Sequence, residues 1–508
     1  MCPTSIAGAP KSATAVVPSS RRLFATGALA VLIAYSLPLL LGWARSGHVP
    51  NLLFSDETIY AARVLDAYRG GTLASPYLAG HDDAPRYMPE ISERALALIA
   101  QLTRTPPLTI LALSRVMVPL LIFLALWRLA RGLDLAPALA LLAALIAVLG
   151  LSTHAGGPHF LRYLRLVSPA TYALLLLIAL QGWLRVWKKP SLKAALFAGI
   201  AGGALFYVAM YYWSFAAIGA LVLALTPASS RRWIFAALGV SILVGAPALW
   251  NAAVVARITA VQQTLHRFNL LTPGRGPDVF VLPRFVAAVV FCAVLWTQRR
   301  RIGTRANFLL AFLVPGTVLL VQNAVTNRHA QSYHWVECLI PVGALAVAVL
   351  IEGTRWCRPR LLYAAAIVIV VAGIASHAGA YFIWEDEARR DPLDWRIDRQ
   401  IPGTLAWLNA NTPPRSILLL RDYGNAFPMY AANKLYFAYY ASQHVISDDE
   451  LERRRDTAEQ FDPAHPTPLP YPADYYLGLG ERCAAPALPV LYRNPAEGTC
   501  VLDLRARD

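Results

Sequence analysis

Two carboxylates stand side by side just after the first long apolar run of the chain. They are Asp56 and Glu57, in a stretch that continues through Tyr60. Ser55 precedes them as a good N-cap and apolar residues follow at helical spacing, which predicts that the pair opens a helix. The helix dipole alone would stabilise acidic residues there. A carboxylate beside a hydrocarbon boundary is nevertheless costly, and a carboxylate is also a group that can serve as a general base.

A second polar cluster lies further along the same segment, in the run from Gly80 to Tyr87. Together with the acidic pair, its side chains could line a site at the membrane surface. The candidate substrate-binding residues of this segment are Tyr60, His81, Asp82, Asp83 and Arg86.

Basic residues in a later segment predict a site for an anion. His159, Arg162 and Arg165 fall at i, i+3 and i+6, roughly along one side of a helix. The fork geometry of an arginine guanidinium suits phosphate oxygens. The alternative is that these long side chains extend to lipid headgroups, and the sequence leaves both interpretations open.

A third polar cluster runs from Asn327 to Glu337. Its two histidines, His329 and His334, are five residues apart, whereas a catalytic zinc site prefers an i, i+4 pair with a third ligand. The spacing therefore predicts no metal site. We interpret the two histidines as a polar wall of the same site, with Arg328 as a further candidate for phosphate binding.

The composition indicates that a membrane protein holds these residues. The 508 residues are 57% hydrophobic and only 15% charged, with a mean hydropathy of +0.46, whereas soluble domains carry about 25% charged residues. An ordinary soluble enzyme and a disordered chain are excluded. Basic cytoplasmic loops explain the net charge of +16, and no basic stripe interleaved with aromatic residues indicates a nucleic-acid partner.

Eleven apolar runs are candidates to cross a bilayer. The predicted inner segments carry 18 lysines and arginines, against seven in the short outer loops. The positive-inside rule therefore places the N-terminus in the cytoplasm and, with an odd number of spans, the C-terminus outside. The predicted spans are residues 22–44, 107–127, 135–152, 168–186, 192–210, 212–227, 233–255, 280–297, 307–325, 334–352 and 361–383.

The predicted fold class is an α-helical polytopic membrane protein of about eleven transmembrane helices with a small extracytoplasmic C-terminal α/β domain. In that domain Cys483 and Cys500 could form a disulfide if the segment lies outside the cytoplasm. Its expected elements are a helix at 402–411 and strands at 416–420, 474–479, 491–492 and 499–504. The expected domains are a disordered cytoplasmic tail at 1–20, a transmembrane domain at 21–383 that includes the extracytoplasmic loop 45–106, and the α/β domain at 384–508.

The first outer segment resembles that of the GT-C fold glycosyltransferases, which include the protein O-mannosyltransferases and the bacterial aminoarabinose transferase of lipid A. The resemblance rests on the stretch from Phe54 to Arg63 and on the Gly70-Gly71 and Pro76 that follow. It extends to the many spans with short inner loops and to the C-terminal domain. It implies that Asp56 is the general base that activates an acceptor hydroxyl, and that Glu57 assists or orients it.

The resemblance further implies a sugar donor carried on a polyprenyl phosphate and a glycan, lipid or protein acceptor. The sequence leaves open which sugar and acceptor are used and whether a divalent cation helps to hold the phosphate. We expect a bacterial inner membrane. The sequence contains no Asn-x-Ser/Thr acceptor for glycosylation, which disfavours a eukaryotic secretory protein. A transporter or flippase for a lipid-linked saccharide is the alternative, although no repeated halves are evident. An assembly scaffold is the third hypothesis.

Overall fold

A computed structural model describes most of the chain as two compact units. Unit 1 comprises Met1–Pro50, Ala112–Trp250 and Leu271–Tyr381, and unit 2 comprises Asn51–Leu111, Asn251–Leu270 and Phe382–Asp508. The first outer segment therefore shares a unit with the C-terminal segment, whereas the sequence analysis groups it with the transmembrane domain. The described residues are 19–53, 57–88, 90–150, 161–165, 167–226, 229–267, 270–276, 281–352, 354–390, 397–421, 426–438 and 444–505.

Apolar helices account for all eleven predicted spans. Among the described residues, six helices are long and apolar enough to cross a membrane and five apolar helices are shorter. The polytopic helical fold class is confirmed. In chain order the helices up to residue 390 are α1 (Ser20–Ser46), α2 (Glu57–Tyr68), α3 (Ile91–Thr103), α4 (Pro107–Gly132), α5 (Pro137–Val148), α6 (Ala170–Lys188), α7 (Leu192–Ala204), α8 (Met210–Leu225), α9 (Arg231–Val255), α10 (Thr259–Arg267), α11 (Leu282–Thr297), α12 (Arg299–Ile302), α13 (Thr304–Leu319), α14 (Asn323–Thr326), α15 (Tyr333–Ile351) and α16 (Pro359–Arg390).

Small residues let neighbouring helices of unit 1 approach closely. A Cβ added to Gly199 would lie 2.5 Å from Cβ of Val240, and one added to Gly203 would lie 2.5 Å from Cβ of Val244. Two glycines four residues apart on α7 thus leave a surface without side chains, against which the valines of α9 pack closely. Such close packing replaces the hydrophobic driving force that helices lose in lipid. Polar segments between the helices include a two-stranded sheet of β1 (Leu270–Pro273) and β2 (Arg328–Ala330).

The C-terminal part of unit 2 is a five-stranded mixed sheet with short helices, as expected for a small α/β domain. The strand order is β4-β3-β5-β7-β6; β3 is parallel to β4 and β5, and β7 is antiparallel to β5 and β6. All the predicted strands and the predicted helix are present. The strands are β3 (Ile417–Leu420), β4 (Lys434–Leu435), β5 (Tyr475–Leu479), β6 (Val490–Asn494) and β7 (Thr499–Asp503), and the helices are α17 (Ile397–Gln400), α18 (Pro402–Asn411), α19 (Phe427–Tyr430) and α20 (Asp448–Gln460).

One face of this sheet packs on α20 and on the proline-rich loop that follows it. Leu419, Tyr436 and Tyr476 of the sheet region pack with Ala458 and Phe461 in one buried cluster. The disulfide proposed from the sequence is present between Cys483 and Cys500, whose Cα atoms are 5.6 Å apart. The sheet is therefore held both by apolar packing and by a covalent link between β7 and the turn after β5.

Candidate active site

The carboxylate of Glu57 is fully buried at the start of α2. Its Oε2 accepts a hydrogen bond from the backbone N–H of Leu53 at 2.7 Å. This bond ties the first residue of α2 to the backbone at Leu53. Asp56 and His159, two of the predicted site residues, lie outside the described residues.

Helix α2 is held against α3 by a buried ion pair. Nε of Arg63 lies 2.7 Å from Oε1 of Glu93, and the two side chains are 4% and 1% exposed. Tyr60 lies one turn earlier on α2 and is half-buried. Because a buried charge is costly unless it is paired, the Arg63–Glu93 pair fixes the register of the two helices that carry the first outer segment.

A lysine from the C-terminal sheet lies between two aspartates of the first outer segment. Nζ of Lys434 is 3.4 Å from Oδ1 of Asp66 and 3.3 Å from Oδ1 of Asp82, and it also donates to the carbonyl of Ser75. The lysine side chain is 5% exposed. Arg415 contacts the same aspartates at 3.4 and 3.8 Å from a more exposed position. We call Lys434, Asp66 and Asp82 the lysine bridge.

The first outer segment also extends the C-terminal sheet by one short strand-like stretch. The N–H of Leu435 donates to the carbonyl of Tyr77 at 2.7 Å, and the N–H of Ala79 donates to the carbonyl of Leu435 at 3.1 Å. Leu78 and Leu435 form a parallel bridge. Strand β4 is otherwise an edge of the sheet, and this pairing satisfies its open hydrogen-bonding groups. The C-terminal sheet therefore fixes the backbone that leads into the second polar cluster.

His81 is anchored to α20. Its Nε2 lies 3.0 Å from Oε1 of Glu450, which also pairs with Arg454 at 2.8 Å. Burial alone would raise the pKa of Glu450, but the hydrogen bond and charge of His81, with the charge of Arg454, lower it overall. Arg454 donates in addition to the carbonyls of Ala79 and Tyr436. The cluster ties the loop that carries His81 to the C-terminal helix.

Asp83 and Arg86 lie on the open side of this loop. Asp83 is exposed, and Nε of Arg86 lies 3.6 Å from Oε1 of Glu90, with half of the arginine side chain accessible. The carbonyl of Arg86 accepts from Nδ2 of Asn251 at 2.8 Å. Of the second polar cluster, these are the two predicted site residues that the fold leaves most accessible.

The segment after β4 is held by α10. Thr264 donates to the carbonyl of His444 at 3.0 Å, and Arg267 donates to the carbonyls of His444 and Ile446 and pairs with Asp448. The imidazole of His444 is buried against the ring of Tyr77 at 5.4 Å. Burial, followed by the charges of Lys434, Arg63 and His81, lowers its pKa to about 3. His444 is therefore neutral at physiological pH.

In unit 1, His334 lies at the start of α15 beside a buried carboxylate. Nδ1 of His334 is 3.8 Å from Oε1 of Glu337, and Tyr212 of α8 donates to Oε2 of Glu337 at 2.9 Å. Trp335 donates through Nε1 to Ser214 of α8 at 3.1 Å. The N-terminal ends of α8 and α15 thus form one polar cluster within otherwise apolar helices.

The remaining predicted residues of unit 1 lie in three places. Arg162 opens a short 3-10 turn and is buried, while Arg165 just after it is half-buried. Arg328 begins β2 and is exposed. The ring of His329 packs directly on Gly274, where an added Cβ would lie 2.3 Å from Nε2. A side chain at position 274 would therefore displace the imidazole of His329.

Several residues of these clusters are not identified as candidate site residues by the sequence analysis. Lys434 stands in an apolar stretch, Asp66 lies in the last turn of α2, and Tyr212 belongs to an aromatic run that predicts only an interfacial belt. A charged residue inside an apolar strand is the one signal that could have found Lys434. No group of three or more His, Cys, Asp or Glu residues that could hold a metal ion occurs within the described ranges.

Solved structures share this fold, although no protein-family model and no curated protein matches the sequence. ArnT from Cupriavidus metallidurans bound to undecaprenyl phosphate matches at a TM-score of 0.54 and 12% identity, over 95% of this chain and 97% of that one. The oligosaccharyltransferase AglB from Archaeoglobus fulgidus, in complex with an inhibitory peptide and a dolichol-phosphate, matches at a TM-score of 0.52 and 12% identity. The match covers 96% of this chain and 74% of that one. The GT-C fold expected from the first outer segment is thereby confirmed for this multi-pass membrane protein.

Proposed function

We propose that the chain is an integral membrane glycosyltransferase that moves a sugar from a polyprenyl-phosphate donor to an acceptor at the extracytoplasmic face. The observation that carries the proposal is the likeness, over 95% of this chain, to a structure whose ligand is undecaprenyl phosphate. The acidic pair that opens the first outer segment supplies the chemistry that such a fold requires. The expected setting is a bacterial inner membrane, with the N-terminus in the cytoplasm and the C-terminal domain outside.

The proposed reaction is an inverting displacement at the anomeric carbon. Asp56 takes the proton of the acceptor hydroxyl as the oxygen attacks, and the bond to the lipid phosphate breaks with the phosphate as the leaving group. General-base assistance of this kind contributes about 10²–10⁴ in rate. Glu57, the proposed partner of this base, accepts a hydrogen bond from the N–H of Leu53 at 2.7 Å.

The leaving group gains negative charge as the bond breaks, and cations nearby stabilise that charge. His159, Arg162, Arg165 and Arg328 are the proposed phosphate-binding residues, and His329 and His334 are proposed to form a polar wall of the site. In unit 2, His81, Asp82, Asp83, Arg86 and Tyr60 are the proposed residues for the sugar and the acceptor. The lysine bridge, which involves Asp82, supports a fixed shape for that loop.

The test compares lipid-linked sugars and surface glycans by mass spectrometry in three strains. They carry the native protein, no protein, or Asp56→Asn. We expect both defective strains to lose the same saccharide and to accumulate its lipid-linked donor. Asp456→Asn is the matched control, because this exposed carboxylate of α20 pairs only with its neighbour Arg455 among the described contacts. A normal profile with Asp56→Asn would refute the proposed base, and movement of saccharide across vesicles without a covalent product would indicate a transporter instead.

A further inference from the structure

Two arginine-rich turns of unit 1 contact each other where four apolar helices end. The first turn, residues 296–306, joins α11 through α12 to α13, and the second, residues 350–361, joins α15 to α16. We call them the basic turns. Together they contain seven arginines, no lysine and one acidic residue, Glu352, which gives them a net charge of +6.

Two polar contacts hold the basic turns together. Nη2 of Arg301 donates to the carbonyl of Leu350 at 3.1 Å, in the last turn of α15. Arg305, at the start of α13, forms an ion pair with Glu352. The one acidic residue of the basic turns is thus engaged by an arginine of the other turn. The positive charge of the remaining arginines is therefore concentrated on a surface that both turns share.

Each basic turn also carries an exposed tryptophan. Trp296 is 55% exposed and Trp356 is 57% exposed. Cζ of Arg299 lies 3.7 Å from the ring centroid of Trp296 and its Nη1 donates to the Trp296 carbonyl, so this guanidinium is held on the indole. Helices α15 and α16 are both apolar enough to cross a membrane. A turn between two such helices lies at the boundary of the bilayer, where tryptophan is enriched.

The arginines that remain accessible are suited to phosphate. Arg300 and Arg301 of the first basic turn and Arg358 and Arg360 of the second are exposed. The positive-inside rule counts lysine and arginine alike, and the turn at 185–193, between α6 and α7, carries three lysines and one arginine. The basic turns use arginine throughout. Only the guanidinium binds a phosphate through two parallel N–H groups.

We infer that the basic turns bind the phosphodiester headgroup of an anionic phospholipid of the surrounding bilayer. Arg300, Arg301 and Arg358 donate to the phosphate, while Trp296 and Trp356 lie at the depth of the glycerol backbone. The complementary charge at headgroup depth favours this occupant over a soluble anion. The inference is independent of the proposed function, because the lipid is a structural ligand that bridges the two turns and undergoes no reaction.

Native mass spectrometry of the full-length protein tests the inference. The protein is incubated with equal concentrations of phosphatidylglycerol and phosphatidylcholine with the same acyl chains, and the two lipid adducts are compared. We expect the wild type to prefer phosphatidylglycerol. The double variant Arg300→Gln/Arg358→Gln should lose at least about tenfold of this preference, because each basic residue near an anionic headgroup contributes about fivefold. An unchanged preference in the variant overturns the inference.

Two further variants separate a built site from a general attraction of charge. Lys189→Gln/Lys193→Gln removes two exposed lysines from the turn between α6 and α7 and should leave the preference unchanged. An equal loss in this control would show that only the total charge matters, which overturns the inference. Arg300→Lys/Arg358→Lys keeps the charge but removes the paired donors. We expect it to bind phosphatidylglycerol more weakly than the wild type, and equal binding would refute recognition by the guanidinium groups.

A second measurement controls for misfolding and for another lipid. Thermal unfolding in phosphatidylcholine nanodiscs should give the same Tm for the wild type and Arg300→Gln/Arg358→Gln. Adding phosphatidylglycerol should raise the Tm of the wild type more than that of the variant. Undecaprenyl phosphate is the competing lipid in the adduct experiment. If it displaces phosphatidylglycerol at equal concentration and loses binding in the same variant, the basic turns bind that lipid phosphate and the phospholipid site is refuted.

Discussion

At the scale of single residues, the bond from the N–H of Leu53 to the buried Glu57 carboxylate holds the start of α2. Glu57→Gln keeps the shape of the side chain but removes its charge, so the buried bond weakens. We expect a loss of about 1–3 kcal/mol of stability and a reduced rate of sugar transfer. Thermal unfolding and a transfer assay measure both effects, with the exposed Glu459→Gln as the control. A variant as stable and active as the wild type would show that the bond orients nothing.

Lys434 and Arg415 allow a direct comparison of a buried and an exposed cation on the same two aspartates. Lys434→Met leaves Asp66 and Asp82 without their buried partner, and we expect a loss of about 3–5 kcal/mol. Arg415 is 44% exposed, so Arg415→Met should cost less than about 1 kcal/mol. Thermal unfolding of the two variants in detergent checks the difference. Equal losses would mean that the lysine bridge does not hold the first outer segment.

His444 should make the stability of the protein sensitive to acid. The pKa of His444 falls from 6.5 to about 3 on folding. Between these two pH values the unfolded chain therefore binds a proton at His444 that the folded chain does not bind. The contribution of neutral His444 to the free energy of unfolding is complete above pH 6.5. It is lost as the pH falls toward 3, by up to about 1.4 kcal/mol per pH unit. His444→Gln should flatten the thermal unfolding profile in that range, whereas the exposed His465→Gln should not. An unaltered slope in His444→Gln would contradict the burial argument.

At the scale of secondary structure, one of the two hydrogen bonds that join residues 77–79 to β4 is donated by β4 itself, through the N–H of Leu435. The N–H of Leu435 points away from β3, because its neighbours Lys434 and Tyr436 make the bonds to that strand. Leu435→Pro removes this donor, while Leu435→Ala removes a similar volume and keeps it. We expect faster amide exchange in residues 72–84 for the proline variant than for the alanine variant, measured by mass spectrometry. Equal exchange would show that the pairing contributes little.

The elements themselves were predictable because their signals are local. An apolar run of sufficient length forms a helix in lipid whatever it packs against, and each predicted span contains such a helix. Short runs of alternating or fully apolar residues predict β3, β5 and β7 to within one residue of their observed bounds. The strand-like stretch at 77–79 was not predictable. Its pairing depends on a partner strand that lies hundreds of positions away in the sequence.

At the scale of the whole molecule, the orientation in the membrane stays a prediction from the distribution of basic residues. We expect Asp456→Cys, in α20, to react with a membrane-impermeant maleimide in cells whose outer membrane is permeable. Arg300→Cys, in the basic turn after α11, should react only after lysis. Both are compared with the unmodified chain, whose own cysteines set the background. The reverse pattern would invert the topology and place the proposed chemistry on the cytoplasmic side.

The sequence by itself determined the membrane class, the positions of the apolar helices and four of the five strands of the C-terminal sheet. These follow from hydropathy, periodicity and residue type within short windows. Only the tertiary structure decided that Lys434 meets Asp66 across 368 positions and that Tyr212 meets Glu337 across 125. The physical reason is burial: a charged side chain must find its partner wherever folding excludes water, and no local pattern encodes that position.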